Sequence, residues 1–147
     1  MAFDLIILGG GPAGYLAAER AGHAGYKVAL VEERSLGGVC LNEGCIPTKA
    51  LLYSAKLYDG VRFGDKYGVQ AEGLTIDHAA IIKRKNKVVR SLVAGVKAQM
   101  RAKDVAVYSA RGVILEKGEE GFRVQAGDEV IAGARLLVAT GSSAAVP

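Results

Sequence analysis

Hydrophobic and polar positions alternate between two periods along this chain. Residues 3–8 (Phe-Asp-Leu-Ile-Ile-Leu) and 27–31 (Lys-Val-Ala-Leu-Val) are short apolar stretches that suit buried strands of a parallel sheet. Between them Gly9 to Gly14 turns into a helix running through Tyr15, Leu16, Ala17, Ala18 and Glu19 towards Gly25, so residues 3–31 read as one βαβ unit. Its strands are expected to be parallel and adjacent, with a right-handed crossover. Leu36 to Cys45 reads as a glycine-rich loop, followed by a helix over about Cys45 to Tyr58. Asp77 is placed to cap a long helix reaching about Lys103. Ile81, Val88, Leu92 and Val96, widened by Ile82, Val89 and Val93, form a stripe on it that predicts core packing. Beyond it the period shortens. Residues 105–115, 121–126 and 129–131 read as antiparallel strands, and residues 134–140 as a final strand.

Length and composition fit one globular domain with a core of its own. The chain has 147 residues, 50% of them hydrophobic and 23% charged. The formal charge is +4, and much of the excess lies in Lys83, Arg84, Lys85, Lys87, Arg90, Lys97, Arg101 and Lys103. That run is either the solvated face of an amphipathic helix or an electrostatic footprint for nucleic acid. No recognised nucleic-acid motif accompanies it, so no nucleic-acid partner is expected. The start of the chain lacks a basic, apolar leader, and no apolar run is long enough to span a membrane. A cytoplasmic protein without membrane association is therefore expected, and in that compartment a cycling disulfide is more natural than a permanent one.

Two motifs carry candidate chemistry. Gly9, Gly11 and Gly14 give a G-x-G-x-x-G pattern after a strand and before a helix. There the first glycine permits a tight turn, the second admits a pyrophosphate to the backbone, and the third lets helix and sheet pack closely. Glu32 follows the second strand, where a carboxylate accepts hydrogen bonds from ribose hydroxyls and disfavours a 2′-phosphate. The pattern predicts dinucleotide binding, the alternative being an incidental βα turn.

Cys40 and Cys45 are the only cysteines. A regular helix would hold their Cα atoms roughly 8–9 Å apart, whereas a disulfide needs about 4.4–6.8 Å. Gly44 and Pro47 supply the departure from regular geometry. A helix start also favours the thiolate needed for exchange. The pair reads as redox-active, with a structural disulfide, free thiols or a metal site as alternatives. His23 and His78, the only histidines, are not spaced with it as a ligand set, and no metal is expected.

These residues resemble the flavin-dependent pyridine nucleotide–disulfide oxidoreductases over essentially the whole chain, from Asp4 to Ser142. Leu41-Asn42 before the second cysteine and Ile46-Pro47-Thr48-Lys49-Ala50-Leu51-Leu52 after it favour the branch that oxidises dihydrolipoyl groups over glutathione and mercuric reductases. The resemblance implies an α/β, Rossmann-like FAD-binding domain with a parallel sheet, an inserted helical pair and a small antiparallel β-meander. By it, Gly9, Gly11, Pro12, Ala13 and Gly14 would approach the FAD pyrophosphate and Glu32 the adenosine ribose. Gly38, Val39 and Cys40 would line the same cofactor. Cys45 would be the thiol nearest the flavin ring, Cys40 the interchange thiol, and Lys49 would lie against the flavin's reactive edge. Backbone near Ala110, Arg111 and Gly112 would meet adenine, and Thr140 and Gly141 would close over the dinucleotide.

Two positions depart from the family pattern. Val39 replaces a common threonine, and Glu33 stands where a basic residue often follows the ribose carboxylate. The family's second G-x-G-x-x-G, for NAD, and its C-terminal histidine–glutamate base have no counterpart here. Residues 1–147 therefore read as the N-terminal part of the FAD-binding domain, without the NAD-binding and interface domains. NAD would then be a co-substrate of the intact enzyme only, a homodimer whose substrate is dihydrolipoamide or a lipoyl-bearing protein. The chain alone is expected to lack NAD-dependent turnover. A non-catalytic nucleotide-binding module is the reading from a different class.

Overall fold

The computed structural model describes residues 2–146. The first strand, β1 (Phe3–Leu8), leads through helix α1 (Pro12–His23) to β2 (Val28–Val31). Two helices follow without a strand between them, α2 (Gly38–Asn42) and α3 (Cys45–Arg62). After a single 3₁₀ turn at Asp65–Tyr67 comes the long helix α4 (His78–Ala102). The chain then forms β3 (Ala106–Tyr108), β4 (Gly112–Gly118), β5 (Gly121–Ala126) and β6 (Glu129–Val138).

All six strands share one sheet in the order β3-β2-β1-β6-β5-β4. Its first four strands are parallel, and β6-β5-β4 form the antiparallel meander. The architecture is the expected Rossmann-like α/β sheet with helices inserted after β2. Alternation along β1 divides its side chains between two cores. Ile7 faces a cluster with Val28, Leu30, Ala18, Val96 and Met100. Ile6 and Leu8 face the other, with Ala29, Val31, Val124 and Ile131. The buried residues of α1 are Gly14 and Ala18, so small residues bring this helix down onto the sheet.

Four sequence expectations need correction. The Leu36–Cys45 segment is not all loop, because Gly38–Asn42 closes into a helical turn. The 105–115 run divides: β3 joins the parallel sheet beside β2, and the antiparallel meander begins only at Gly112. A side chain at Gly112 would press on Leu8 and Val31, so the chain crosses the ends of β1 and β2 there. The runs 129–131 and 134–140 are not separate strands but one, β6, which ends at Val138 rather than Thr140. Its first half pairs with β5 and its second with β1, and Gly133 is common to both registers. Gly133 looked like a break in sequence but marks a close approach, since a Cβ there would meet the Ile6 side chain at 2.8 Å.

The fourth concerns α4. Asp77 does cap it, its carboxylate accepting from the Ala80 N–H at 2.9 Å. Yet only Val96 and Met100 are buried, and Leu92 is 42% exposed. The C-terminal third of the helix enters the core, while its N-terminal part packs on α3. In α3 itself only Pro47 and Ala50 are buried, leaving Leu52, Tyr53 and Leu57 exposed. Strand β4 carries a bulge, with Leu115 as the extra residue between the Ile114–Val124 and Glu116–Arg123 pairs. No helix of the described residues is long and apolar enough to cross a membrane.

Candidate functional site

At the C-terminal ends of β1, β2 and β6 the chain makes two glycine turns that touch. In the first, Gly9 adopts φ +100°, the left-handed region, and a side chain there would run into the Ala139 carbonyl. Its N–H donates to the Val31 carbonyl at 2.8 Å, which ties the turn to β2. Gly14 is buried, and a side chain on it would strike the Gly9 carbonyl. Gly11 differs: its φ of −72° suits any residue, and an added Cβ finds nothing closer than 3.8 Å. The space over Gly11 is therefore not filled by the protein.

Helix α1 begins at that turn with Pro12 in its first turn, no side-chain cap on Gly11 and no acidic residue in the first turn. Its leading N–H groups have no intrahelical partners, and the positive end of its dipole faces outward with them. Such a start is chemically fit for an anion of the pyrophosphate kind.

The second turn holds the cysteines. Gly37 and Gly38 take φ of +98° and +59°, and Gly38 lies so close to Gly11 that a Cβ on it would meet the Gly11 Cα at 2.7 Å. Gly37 N–H donates to the Gly10 carbonyl at 2.8 Å, so a backbone hydrogen bond joins the two turns. The Asn42 amide locks the second turn by donating to the carbonyls of Leu36 (3.2 Å) and Gly38 (2.9 Å). Cys40 lies on α2, and Cys45 opens α3 after Gly44 breaks the helical path. Gly44 and Glu43 both donate to the Val39 carbonyl, at 2.6 and 2.8 Å, which folds the intervening turn back.

This geometry makes the two free thiols neighbours. The Cys40 thiol is held above its ordinary value, first by its hydrogen bond with the Cys45 side chain and then by desolvation and the Cys45 charge. A backbone hydrogen bond from Cys45 and the Lys49 cation pull the other way and do not prevail. The thiolate expected at a helix start is thus not favoured at Cys40, which keeps its proton because a second sulfur faces it.

A cleft of about 930 Å³ opens between the turns and the strand ends. Gly9, Gly11, Pro12 and Ala13 form its floor, and Gly38, Val39 and Cys40 one wall. Ala110, Arg111 and Gly112 approach from the segment before β4, and Thr140 and Gly141 from the end of β6. Glu32 lies between them with both carboxylate oxygens engaged: Oε2 accepts from Gly10 N–H at 2.7 Å and Oε1 from Arg34 N–H at 2.8 Å. Each oxygen retains a lone pair for a hydroxyl donor. Of the residues singled out in sequence, Gly14 sits beneath the floor, whereas Cys45 and Lys49 are exposed outside the cleft's lining. His23 lies instead beside Lys103, at 3.3 Å, and His78 begins α4.

Residues given no place in the site from sequence also line the cleft: Arg34, Ser35 and Glu43, and Asn42, which had counted only towards the family resemblance. Arg34 and Glu43 form an ion pair across its rim. The available signal was a pair of opposite charges flanking the Gly37-Gly38 turn, but their spacing has meaning only once the turn is folded. Glu33, where a basic residue was more usual, contributes to the lining as well.

The family model described as pyridine nucleotide-disulphide oxidoreductase matches residues 3–147. Dihydrolipoyl dehydrogenase of Chlamydia muridarum is 43% identical over 141 residues, 96% of this chain and 30% of that protein. The Acholeplasma laidlawii protein of the same name is 42% identical over 146 residues, 99% of this chain and 42% of its own length. That of Zymomonas mobilis is 43% identical over 143 residues, covering 97% and 31%. The chain thus spans about a third of the length of these curated relatives.

Proposed function

We propose that this chain, which belongs to the pyridine nucleotide-disulphide oxidoreductase family, is the FAD-binding, cysteine-bearing part of a dihydrolipoyl dehydrogenase. The observation that carries the reading is the backbone contact of Gly38 with Gly11, which brings Cys40, hydrogen-bonded to the Cys45 side chain, to the wall of the cleft beside the start of α1. A nucleotide module without redox activity has no need of that juxtaposition.

In this reading the start of α1 binds the pyrophosphate and Glu32 orients the adenosine ribose. Arg111 and its neighbours border the adenine, and Thr140 and Gly141 cover the dinucleotide. FAD, when bound, supplies a two-electron acceptor for the cysteine pair and a donor to NAD. Cys40 serves as the interchange thiol towards a dihydrolipoyl sulfur, and Cys45 as the thiol beside the ring. As a disulfide the pair accepts two electrons from the dihydrolipoyl group, leaving a lipoyl disulfide and two protein thiols. Lys49, one helical turn after Cys45, provides a cation on the same side of α3. The intact protein would act on dihydrolipoamide or a lipoyl-bearing protein as a homodimer.

The test is a titration of the purified chain with FAD, followed by flavin fluorescence and by thiol counting before and after reduction. Bound flavin is expected, with two thiols that appear only on reduction. Gly11→Ala should cost no more than about 1 kcal/mol of stability, the difference between glycine and alanine at an N-cap, since its Cβ would come no closer than 3.8 Å, ordinary contact, to the Gly38 Cα. The same change should weaken FAD binding at least tenfold by occupying the pyrophosphate's approach. FAD retention equal to wild type in that variant would sink the cradle assignment.

A further inference from the structure

The turn between the cysteines is tied to the nucleotide cradle by side chains as well as by backbone. Arg34 follows Glu32 and Glu33, and its N–H donates to Glu32 Oε1. Its guanidinium reaches across the rim to the carboxylate of Glu43, nine residues on. Glu43 lies between Asn42 and Gly44, inside the five-residue step that separates the sulfurs. Glu32 Oε2 meanwhile holds the Gly10 N–H, and Gly10 accepts from Gly37. One carboxylate therefore grips both the phosphate turn and, through Arg34, the inter-cysteine turn.

We propose that Glu43 and Arg34 are positioning residues that couple occupancy of the nucleotide cradle to the dithiol–disulfide equilibrium of Cys40 and Cys45. The inference rests on the cradle reading above. A ribose donating to Glu32 fixes that carboxylate, and with it the Arg34 backbone it already holds. Arg34 in turn restrains Glu43, whose neighbours Gly44 and Cys45 set the separation of the sulfurs. Restricting that turn to the geometry in which the sulfurs adjoin favours the disulfide over the dithiol, because the dithiol alone gains from freedom to separate.

The magnitude is bounded by exposure. The Arg34 and Glu43 side chains are 66% and 50% exposed, so the pair is screened and its effect on an equilibrium has a ceiling of about fivefold. Coupling of that size is small for stability but readable in a redox titration. By linkage the same factor appears in both directions, so the disulfide form binds the nucleotide more tightly than the dithiol form by that ratio.

ADP is the probe, because it carries the pyrophosphate and adenosine ribose but no redox group that could touch the sulfurs. The chain is equilibrated with glutathione, with and without saturating ADP. Oxidised glutathione takes two electrons and two protons from Cys40 and Cys45, forming the intramolecular disulfide and two reduced glutathione molecules. ADP is expected to raise the oxidation constant of the wild-type chain about twofold to fivefold, and less so in 1 M salt. Glu43→Gln and Arg34→Gln should abolish the shift without changing the far-UV spectrum, and Arg34→Lys, which keeps the cation, should retain part of it. A shift that survives in both neutral variants would overturn the inference, as would ADP that binds the wild type and leaves the constant unchanged. Absence of any ADP binding to the wild type would overturn the cradle reading itself, and this inference with it.

Discussion

Two residues of the cysteine segment show how neighbours decide chemistry. Cys40 holds its proton because the Cys45 side chain hydrogen-bonds it and, when charged, repels a second negative charge. In the reduced chain, Cys45→Ala removes both effects, while desolvation still raises the Cys40 thiol and the Lys49 cation still lowers it. The pH profile of Cys40 alkylation should therefore move to lower pH in that variant, with faster reaction near neutrality. Iodoacetamide rates between pH 6 and pH 10 measure it, and an unmoved profile would show that Cys45 does not control Cys40. Residue types and spacing made this pair legible in the sequence, as they did Gly9, Gly11 and Gly14. They did not make Arg34, Asn42 or Glu43 legible, because a carbonyl acceptor or ion-pair partner exists only after Gly37 and Gly38 bend the chain.

At the scale of elements, α4 tests where a long helix is anchored. Its cap, stripe and end were readable from Asp77 and the apolar period, but the depth of burial along it was not. That depth depends on where the sheet stops, which no local pattern contains. Three variants should grade accordingly. Met100→Ala, fully buried against the sheet, should cost about 2–5 kcal/mol. Asp77→Ala, which loses the cap to Ala80, should cost about 0.5–2 kcal/mol. Leu92→Ala, at the exposed side, should stay within about 0.5 kcal/mol of wild type. Urea unfolding followed by circular dichroism gives the order, and a Leu92 cost matching that of Met100 would contradict it. Strand pairing was the least legible level. Gly133 and Gly112 resemble turn signals in sequence, yet one lies within a continuous strand and the other begins the meander. Only the Ile6, Leu8 and Val31 side chains opposite explain why glycine is there.

Across the whole molecule, apolar surface is unevenly covered. The sheet is packed on both faces near β1 and β2, while α3 and the segment after it present Leu52, Tyr53, Leu57, Phe63 and Tyr67 to solvent. Exposed apolar surface of this extent binds hydrophobic dyes in the folded state. Anilinonaphthalene sulfonate fluorescence should rise on adding the native chain, and Leu52→Lys with Leu57→Lys should lower it while the circular dichroism spectrum is kept. No enhancement by the wild type would mean that the surface is covered in solution.

The sheet's long rim has a quieter defence. Strand β4 offers Val113, Ile114 and Leu115 at an unpaired edge, a run that invites a second chain to continue the ladder. The extra residue at Leu115 throws that ladder out of step, and Glu116 and Arg123 set charges immediately beside the kink. Polymerisation along this rim is thereby denied a straight template, and deleting Leu115 to straighten the strand is expected to raise self-association, read as light scattering.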